Sequence, residues 1–303
     1  MFRTSPGRRA ILGLAVAVAL TTSVAACGSE SGDNTGTGST PAASASADTS
    51  LADKVPADIK AAGKLVIGTD STYAPSEFLD TDGKTVIGFD VDLFNAVAQK
   101  LGLTTEWQSA TFDSIIPGVT SKKYGVGVSS FTINKDRLKV ATMVSYFNAG
   151  TQWAAKTGAT IDPANACGKK IAVQTSTVQA DDIAARSKKC TDSGKAKITV
   201  DQYQAQSDAT NAVVTGKDDA MLADSPVVAY AVKQTSGQLA LLGDIYDSAP
   251  YGYVLPKDQA DTMAVAVQGA LKALIADGTY KSILAKWGVD AGAITSPAVN
   301  PAS

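Results

Sequence analysis

LVIGTDSTYAPSEF (Leu65–Phe78), GFDVDLFNAVAQKLG (Gly88–Gly102), FDSIIPGV (Phe112–Val119) and SSFTINKDR (Ser129–Arg137) follow one another within 73 residues. Leu65–Gly68 is a short apolar run that stops at Thr69-Asp70, so it reads as a buried strand ending at a polar edge. Gly88–Gly102 reads as a helix: Leu93, Phe94, Val97, Ala98 and Leu101 share one face, Asp90 and Asp92 occupy the first turn, and Gly102 closes it. Val126–Ser129 is a second short strand, and it too ends in polar residues. The two strand ends present Asp70, Tyr73, Ser130, Thr132 and Arg137. In an open α/β sheet, ligands bind outside the carboxyl ends of the strands. A guanidinium among hydroxyls suits a carboxylate, because its fork donates two parallel hydrogen bonds. A carboxylate such as Asp70 suits a cation or an amide.

Outward from this stretch the α/β pattern continues. Leu51–Gly63 reads as a polar lead-in helix. Thr81–Lys84 is a tight turn between strands. Leu103–Trp107 is a strand, and Asp113–Thr120 a short helix interrupted at Pro117. Tyr146–Ala155 and Ala249–Leu255 are apolar and extended. Between them Ile171–Val173, Ile198–Val200, Ala220–Leu222 and Leu239–Leu242 read as strands. Thr177–Lys188, Ser207–Gly216 and Pro226–Lys233 read as the intervening helices, an alternation that gives a mostly parallel sheet. Asp258–Ala276 and Tyr280–Trp287 are closing helices stopped by Gly278 and Gly288, and Thr295–Ser303 reads as tail.

The 303-residue chain is long enough for two lobes with separate cores. It has no basic stripe, so nucleic acid is not expected as a partner. It has no histidine, which removes the commonest general base and metal ligand. Neither metal nor cofactor is expected. At the N-terminus, Arg3, Arg8 and Arg9 precede the apolar run Ala10–Leu20, so residues 1–26 read as a signal peptide. Its removal would take away three arginines and no acid, moving the formal charge from −2 to −5. The zone Val24-Ala25-Ala26-Cys27 resembles a lipobox, with Cys27 as the lipidated mature N-terminus. Arg8-Arg9 is compatible with either general or twin-arginine export. Gly28–Ser50 lacks aromatics and large aliphatics and reads as a flexible tether. Cys167 and Cys190 remain. On an oxidising side of the membrane they are expected to form a disulfide, two buried thiols being the alternative.

The run of motifs, G-T-D, Y-A-P-x-E-F, G-F-D-V-D-L, F-D-x-I-I-P and S-S-F-T-I-x-x-D-R, resembles the family 3 extracellular solute-binding proteins, the polar amino-acid receptors of ABC importers. The resemblance covers roughly Leu51 to Asn300. It implies an α/β, periplasmic-binding-protein-like type II fold with two lobes joined by two hinge crossings. The expected layout is 1–26 signal peptide, 27–50 tether, 51–150 and 249–290 first lobe, 151–248 second lobe and 291–303 tail. Asn148-Ala149-Gly150 is the expected first hinge.

By the same resemblance Arg137 pairs the ligand α-carboxylate, helped by Thr132 and, from the second lobe, Thr177. Ser130 offers a carbonyl to the α-ammonium and Asp224 takes its charge. Gln174 reaches the ligand. Asp70 and Tyr73 meet its side chain, with Phe112 opposite Tyr73. Each has a plainer reading: Arg137 as a solvated arginine, Asp224 as a helix N-cap, the aromatics as core. Asp70 argues against an acidic ligand and favours a basic amino acid or glutamine. Two departures from the family pattern stand out: Gly125 replaces an acid, and Ser76 replaces an aromatic that would shape the side-chain pocket. The implied protein is a monomeric receptor, not an enzyme. The lipid on Cys27 would hold it at the extracellular face of the cytoplasmic membrane, suiting a Gram-positive cell. It would deliver a free amino acid to an ABC permease and its ATPase. The alternatives are a secreted enzyme like cyclohexadienyl dehydratase, or an amino-acid-sensing module.

Overall fold

A computed structural model describes residues 47–302. The signal peptide, Cys27 and the tether up to residue 46 lie outside the described residues. The tether reading ran on to residue 50, but helix α1 (Thr49–Ala52) starts earlier, its first N–H groups capped by Asp48. Pro56 splits the expected lead-in helix, so α2 (Ala57–Ala62) is separate. There follow β1 (Lys64–Thr69), β2 (Thr72–Tyr73), β3 (Glu77–Leu79), β4 (Val86–Ile87), α3 (Phe89–Lys100), β5 (Thr104–Ser109), α4 (Phe112–Thr120), β6 (Val126–Gly127) and α5 (Lys135–Val140). Helix α4 continues through Pro117 rather than stopping there. The apolar face made by Ile115 and Val119 is fully buried and holds the helix across the lost backbone bond.

The chain then runs along β7 (Ala141–Lys156), β8 (Lys170–Gln174), α6 (Val178–Asp192), β9 (Thr199–Tyr203), α7 (Gln206–Thr215), β10 (Ala220–Asp224), α8 (Ser225–Gln234), β11 (Leu239–Pro256), α9 (Met263–Ala276) and α10 (Thr279–Trp287). Eight strands form one sheet in the order β5-β1-β6-β11-β7-β10-β8-β9, and β2-β3-β4 form a small second sheet. β1 is parallel to β5 and β6, and β8 is parallel to β9 and β10. The long antiparallel pair β7–β11 lies between these parallel groups and belongs to both.

Each half has its own core. Leu65, Phe94, Tyr146, Tyr253 and Leu271 sit in the first, while Trp153, Ile171, Ile183 and Leu222 sit in the second. The ribbon joining them is irregular where the two extended crossings were expected. Its register slips between Leu242 and Tyr246, between Tyr246 and Ala249, and between Tyr251 and Gly252. Asn148 lies opposite Pro250, which has no N–H to give, so the ladder lacks a donor at the expected hinge.

The segment read as tail is part of the fold. Ser145 N–H donates to the Ala298 carbonyl, Asn300 N–H donates to the Met143 carbonyl, and the Asn300 side chain accepts from Met143 N–H. Two or three residues of pairing leave no periodic signature, which is why the sequence hid it.

Cys167 and Cys190 are bridged, with Cα atoms 5.7 Å apart. The bond ties the approach to β8 to the last turn of α6. For a closed loop of 23 residues the chain-entropy relation gives about 3 kcal/mol. A Cys167→Ser/Cys190→Ser double variant is therefore expected to melt roughly 6–12 °C below the native chain in a calorimetric scan. An unchanged midpoint would mean that the loop is already ordered without the bridge.

Candidate ligand-binding cleft

Tyr73, Phe112, Ser130, Thr132, Arg137, Gln174, Thr177 and Asp224 line one cavity between the halves, joined by Val178 and Gln179. Eight of the nine expected residues thus meet. The cavity is narrow, about 10 Å³, the room of a single water. The walls touch instead. Tyr73 Oη donates to Asp224 Oδ2 at 2.7 Å, Gln174 Nε2 to Asp70 Oδ2 at 2.7 Å, Arg137 Nη2 to the Ser176 carbonyl at 3.2 Å, and Gln206 N–H to Thr72 Oγ1 at 3.1 Å. All four bonds cross from one half to the other, so admitting an amino acid requires the halves to separate and these bonds to break.

Arg137 is not a solvated surface arginine. Helix α5 is capped by Asn134, whose side chain accepts from Arg137 N–H. The guanidinium folds back over stacked Phe112 and Phe131, its carbon 5.4 Å from each ring centre. Nη1 donates to the Thr132 carbonyl at 2.8 Å. Burial lowers the guanidinium to about 10, against the opposing pull of Asp224. It remains a full cation at neutral pH.

Asp224 occupies the N-cap position of α8, yet its side chain makes no cap bond. It accepts from Tyr73 and from Gln179 Nε2, the latter at 2.9 Å. Burial raises its pKa, with these donors working the other way. A buried carboxylate that declines the available cap is aimed at the cleft.

Three details differ from the expectation. Asp70 does not line the cavity: Gln174 closes it off. Asp70 accepts from Thr72 N–H, Thr72 Oγ1, Phe112 N–H and Gln174 Nε2, which fills its four acceptor positions. Burial raises its pKa and these donors oppose the rise. Second, Phe112 lines the cavity with Tyr73 while its ring stacks on Phe131, with centroids 4.6 Å apart. Tyr73 packs into the core of the second half, where its hydroxyl finds Asp224. Third, the Thr177 hydroxyl caps α6, accepting from Ala180 N–H and donating to the Gln174 carbonyl. What remains to face the cleft is the helix N-terminus itself.

Neither departure in sequence touches the cavity. Ser76 is fully buried away from it. Gly125 sits against Leu65, where a Cβ would meet Leu65 Cδ1 at 2.6 Å, so an acid there would need repacking. Gln179 escaped the sequence reading; its only signal was a place in the first turn of α6, beside the strand end. A roomier cavity of about 450 Å³ opens among Phe147–Gly150, α8 and Gly288–Gly292. It contains none of the expected residues, and Lys233 is the one charged group lining it.

Residues 65–290 match the bacterial extracellular solute-binding proteins, family 3. The arginine-binding protein ArgT of Corynebacterium glutamicum is 37% identical over 249 residues, covering 81% of each chain. An L-arginine-binding protein of Pseudomonas aeruginosa is 32% identical over 231 residues, 73% of this chain and 86% of that one. An ancestral arginine-binding protein, solved with arginine bound, superposes with a TM-score of 0.68 at 31% identity over 74% of this chain and 98% of its own. The α/β architecture is that of the periplasmic-binding-protein-like type II structures. On the evidence of the sheet, the two-sided cleft and these matches, the chain belongs to the bacterial extracellular solute-binding proteins, family 3.

Proposed function

We propose that the protein captures a basic amino acid, arginine first, between its two halves and hands it to an ABC permease. One observation carries this reading: a guanidinium (Arg137) and two carboxylates (Asp224 and, one side chain behind, Asp70) converge on a single interlobe cavity. Arg137 takes the α-carboxylate by its fork, with the Thr132 N–H and the α6 N-terminus beside it. Asp224 takes the α-ammonium, with Tyr73 and Gln179 orienting it and Ser130 offering its carbonyl. The ligand side chain displaces Gln174 from Asp70, with Phe112 and Tyr73 flanking it.

The competition at Asp70 favours arginine over glutamine. The Gln174 amide already gives Asp70 a hydrogen bond from an uncharged donor, and a glutamine ligand would only reproduce it. A guanidinium replaces it with a bond in which donor and acceptor are both charged, about 1.4 kcal/mol stronger, hence ~10-fold in affinity. Residues 51–150 with 249–290, and 151–248, would act as the two lobes. Ligand contacts to both would lower the closed state relative to the open one. Cys27 would anchor the receptor at the extracellular face of the membrane. The similar proteins named above are binding proteins, and Arg137 with Asp224 suits an intact α-amino acid better than a dehydratase substrate.

Calorimetric titration of residues 47–303 with each proteinogenic amino acid tests the reading. Arginine should bind most tightly, lysine next, and glutamine ~10-fold or more weaker than arginine. Binding confined to glutamate or aspartate would remove Asp70 from the side-chain pocket. Turnover of a ring acid with no amino-acid binding would favour the enzyme.

A further inference from the structure

Directly under the cleft lie two carboxyl groups that the binding scheme does not use. Glu77 on β3 and Asp90 in the first turn of α3 are both 0% exposed. Gly88 makes their approach possible: at φ 143° its backbone passes so close to Ser76 that a Cβ would sit 2.0 Å from the Ser76 carbonyl. Asp90 N–H donates to the Ser76 carbonyl at 3.1 Å, next to Glu77, and the two acids accept from the adjacent residues Ser129 and Ser130. Glu77 Oε2 and Asp90 Oδ1 are buried and have no hydrogen-bond donor among the described residues. The groups facing the pair are Asp70 after β1, Tyr146 from β7, Tyr251 and Tyr253 from β11 and Tyr280 from α10. Among the described residues no lysine or arginine forms an ion pair with either carboxylate. Two facing anions in such a place repel strongly, and one shared proton removes the repulsion.

The donors say which group holds the proton. Asp90 Oδ2 accepts from Tyr146 Oη, from Ser130 N–H at 3.3 Å and from Ser130 Oγ at 3.4 Å, at a helix N-terminus that favours an anion. Glu77 accepts only from Ser129 Oγ, at 3.2 Å, and Ser129 Oγ in turn accepts from Asp70 N–H at 3.0 Å. Asp70 N–H thus donates to Ser129 and Ser129 to Glu77, while the neighbouring Ser130 donates to Asp90. Ser130 needs that hold. Its φ is 49°, a left-handed backbone that a serine adopts only under constraint.

We propose that Glu77 and Asp90 hold one proton between them at neutral pH, on Glu77, and that this pair is the positioning element that fixes Ser129, Ser130 and the Asp70 backbone for the ligand. Burial and the charge on Asp90 push Glu77 well above the usual carboxyl range, while burial raises Asp90 to about 6. The affinity part of the inference rests on the amino-acid-receptor reading; the proton itself does not.

Two measurements test it. The first is the infrared carboxyl band of the ligand-free protein at neutral pH. A neutral-acid band should be present and should vanish in Glu77→Gln. The second is arginine affinity between pH 5.5 and 8. Glu77→Gln, which keeps a donor toward Asp90, should bind within ~2-fold of the native chain, and Glu77→Leu ~10-fold more weakly. Asp90→Asn should also bind ~10-fold more weakly, and should lose part of the native fall in affinity as pH drops through about 6. The proposal is overturned if no band disappears in Glu77→Gln, or if Glu77→Gln binds as poorly as Glu77→Leu. It is equally overturned if Glu77→Leu and Asp90→Asn lower the melting point yet keep native affinity and pH profile. Should the native chain bind no amino acid, the receptor reading fails while the infrared band still decides the proton.

Discussion

Arg137→Ala should abolish useful affinity for arginine, weakening it by about 3 kcal/mol, or ~150-fold, in calorimetric titration. The size follows from the setting. The guanidinium is held by the Thr132 carbonyl and two aromatic faces, so its orientation is prepared before any ligand arrives. Its removal leaves the ligand α-carboxylate in a closing cleft with only backbone N–H donors. Arg137→Lys keeps the charge but loses the fork, so it should fall between the two. The ligand-free protein should melt close to the native temperature in both variants, since the lost bonds go to carbonyls at the cleft edge that water reaches on opening. Affinity within threefold of native for Arg137→Ala would place the α-carboxylate elsewhere.

Asp224→Asn should move two readouts in different directions. Arginine affinity should fall ~100-fold or more, because the α-ammonium loses a desolvated counter-charge. Stability of the ligand-free chain should not fall. The Asp224 carboxyl is raised by burial, so the folded state holds its proton more tightly than the unfolded one. Such a group stabilises the fold at acid pH, and that contribution is lost as pH rises past the ordinary carboxyl value toward the raised one. An amide escapes this loss and can still donate to Tyr73 and accept from Gln179. The melting temperature of Asp224→Asn at pH 8 is thus expected at or above native, with a flatter pH profile. Lower stability together with native affinity would show that Asp224 serves the fold and not the ligand.

That the cleft residues meet is largely legible in the sequence. Strands that stop at polar residues are local events, and Thr69-Asp70, Ser129–Thr132 and Asp224 all stand at such stops. The family resemblance suggested a role for each. What the sequence could not show is how the polar groups satisfy one another over long separations. Gln174 and Asp70 are 104 residues apart and Tyr73 and Asp224 151 apart; nothing local in either partner announces the other. The capping of α6 by Thr177 was a local possibility with equal claim on the same hydroxyl, and geometry alone chose between cap and ligand. Phe112 offered two aromatic partners, and the stacked one, Phe131, was the nearer in sequence. The buried pair of Glu77 and Asp90 was hidden by its composition, since an acid at the start of a three-residue strand and one in a first helical turn look like ordinary surface residues.

The strand-like segment at Ala298–Asn300 lies along β7 beside Met143 and Ser145, and α1 packs against α9. Both ends of the described chain are therefore fastened to the half built on β1, and the other half is spliced in as an insertion with no terminus of its own. Tension applied between the two ends runs through the first half and never crosses the β7–β11 ribbon. If the two halves move as proposed, a pull on the described ends puts no load on the joint between them.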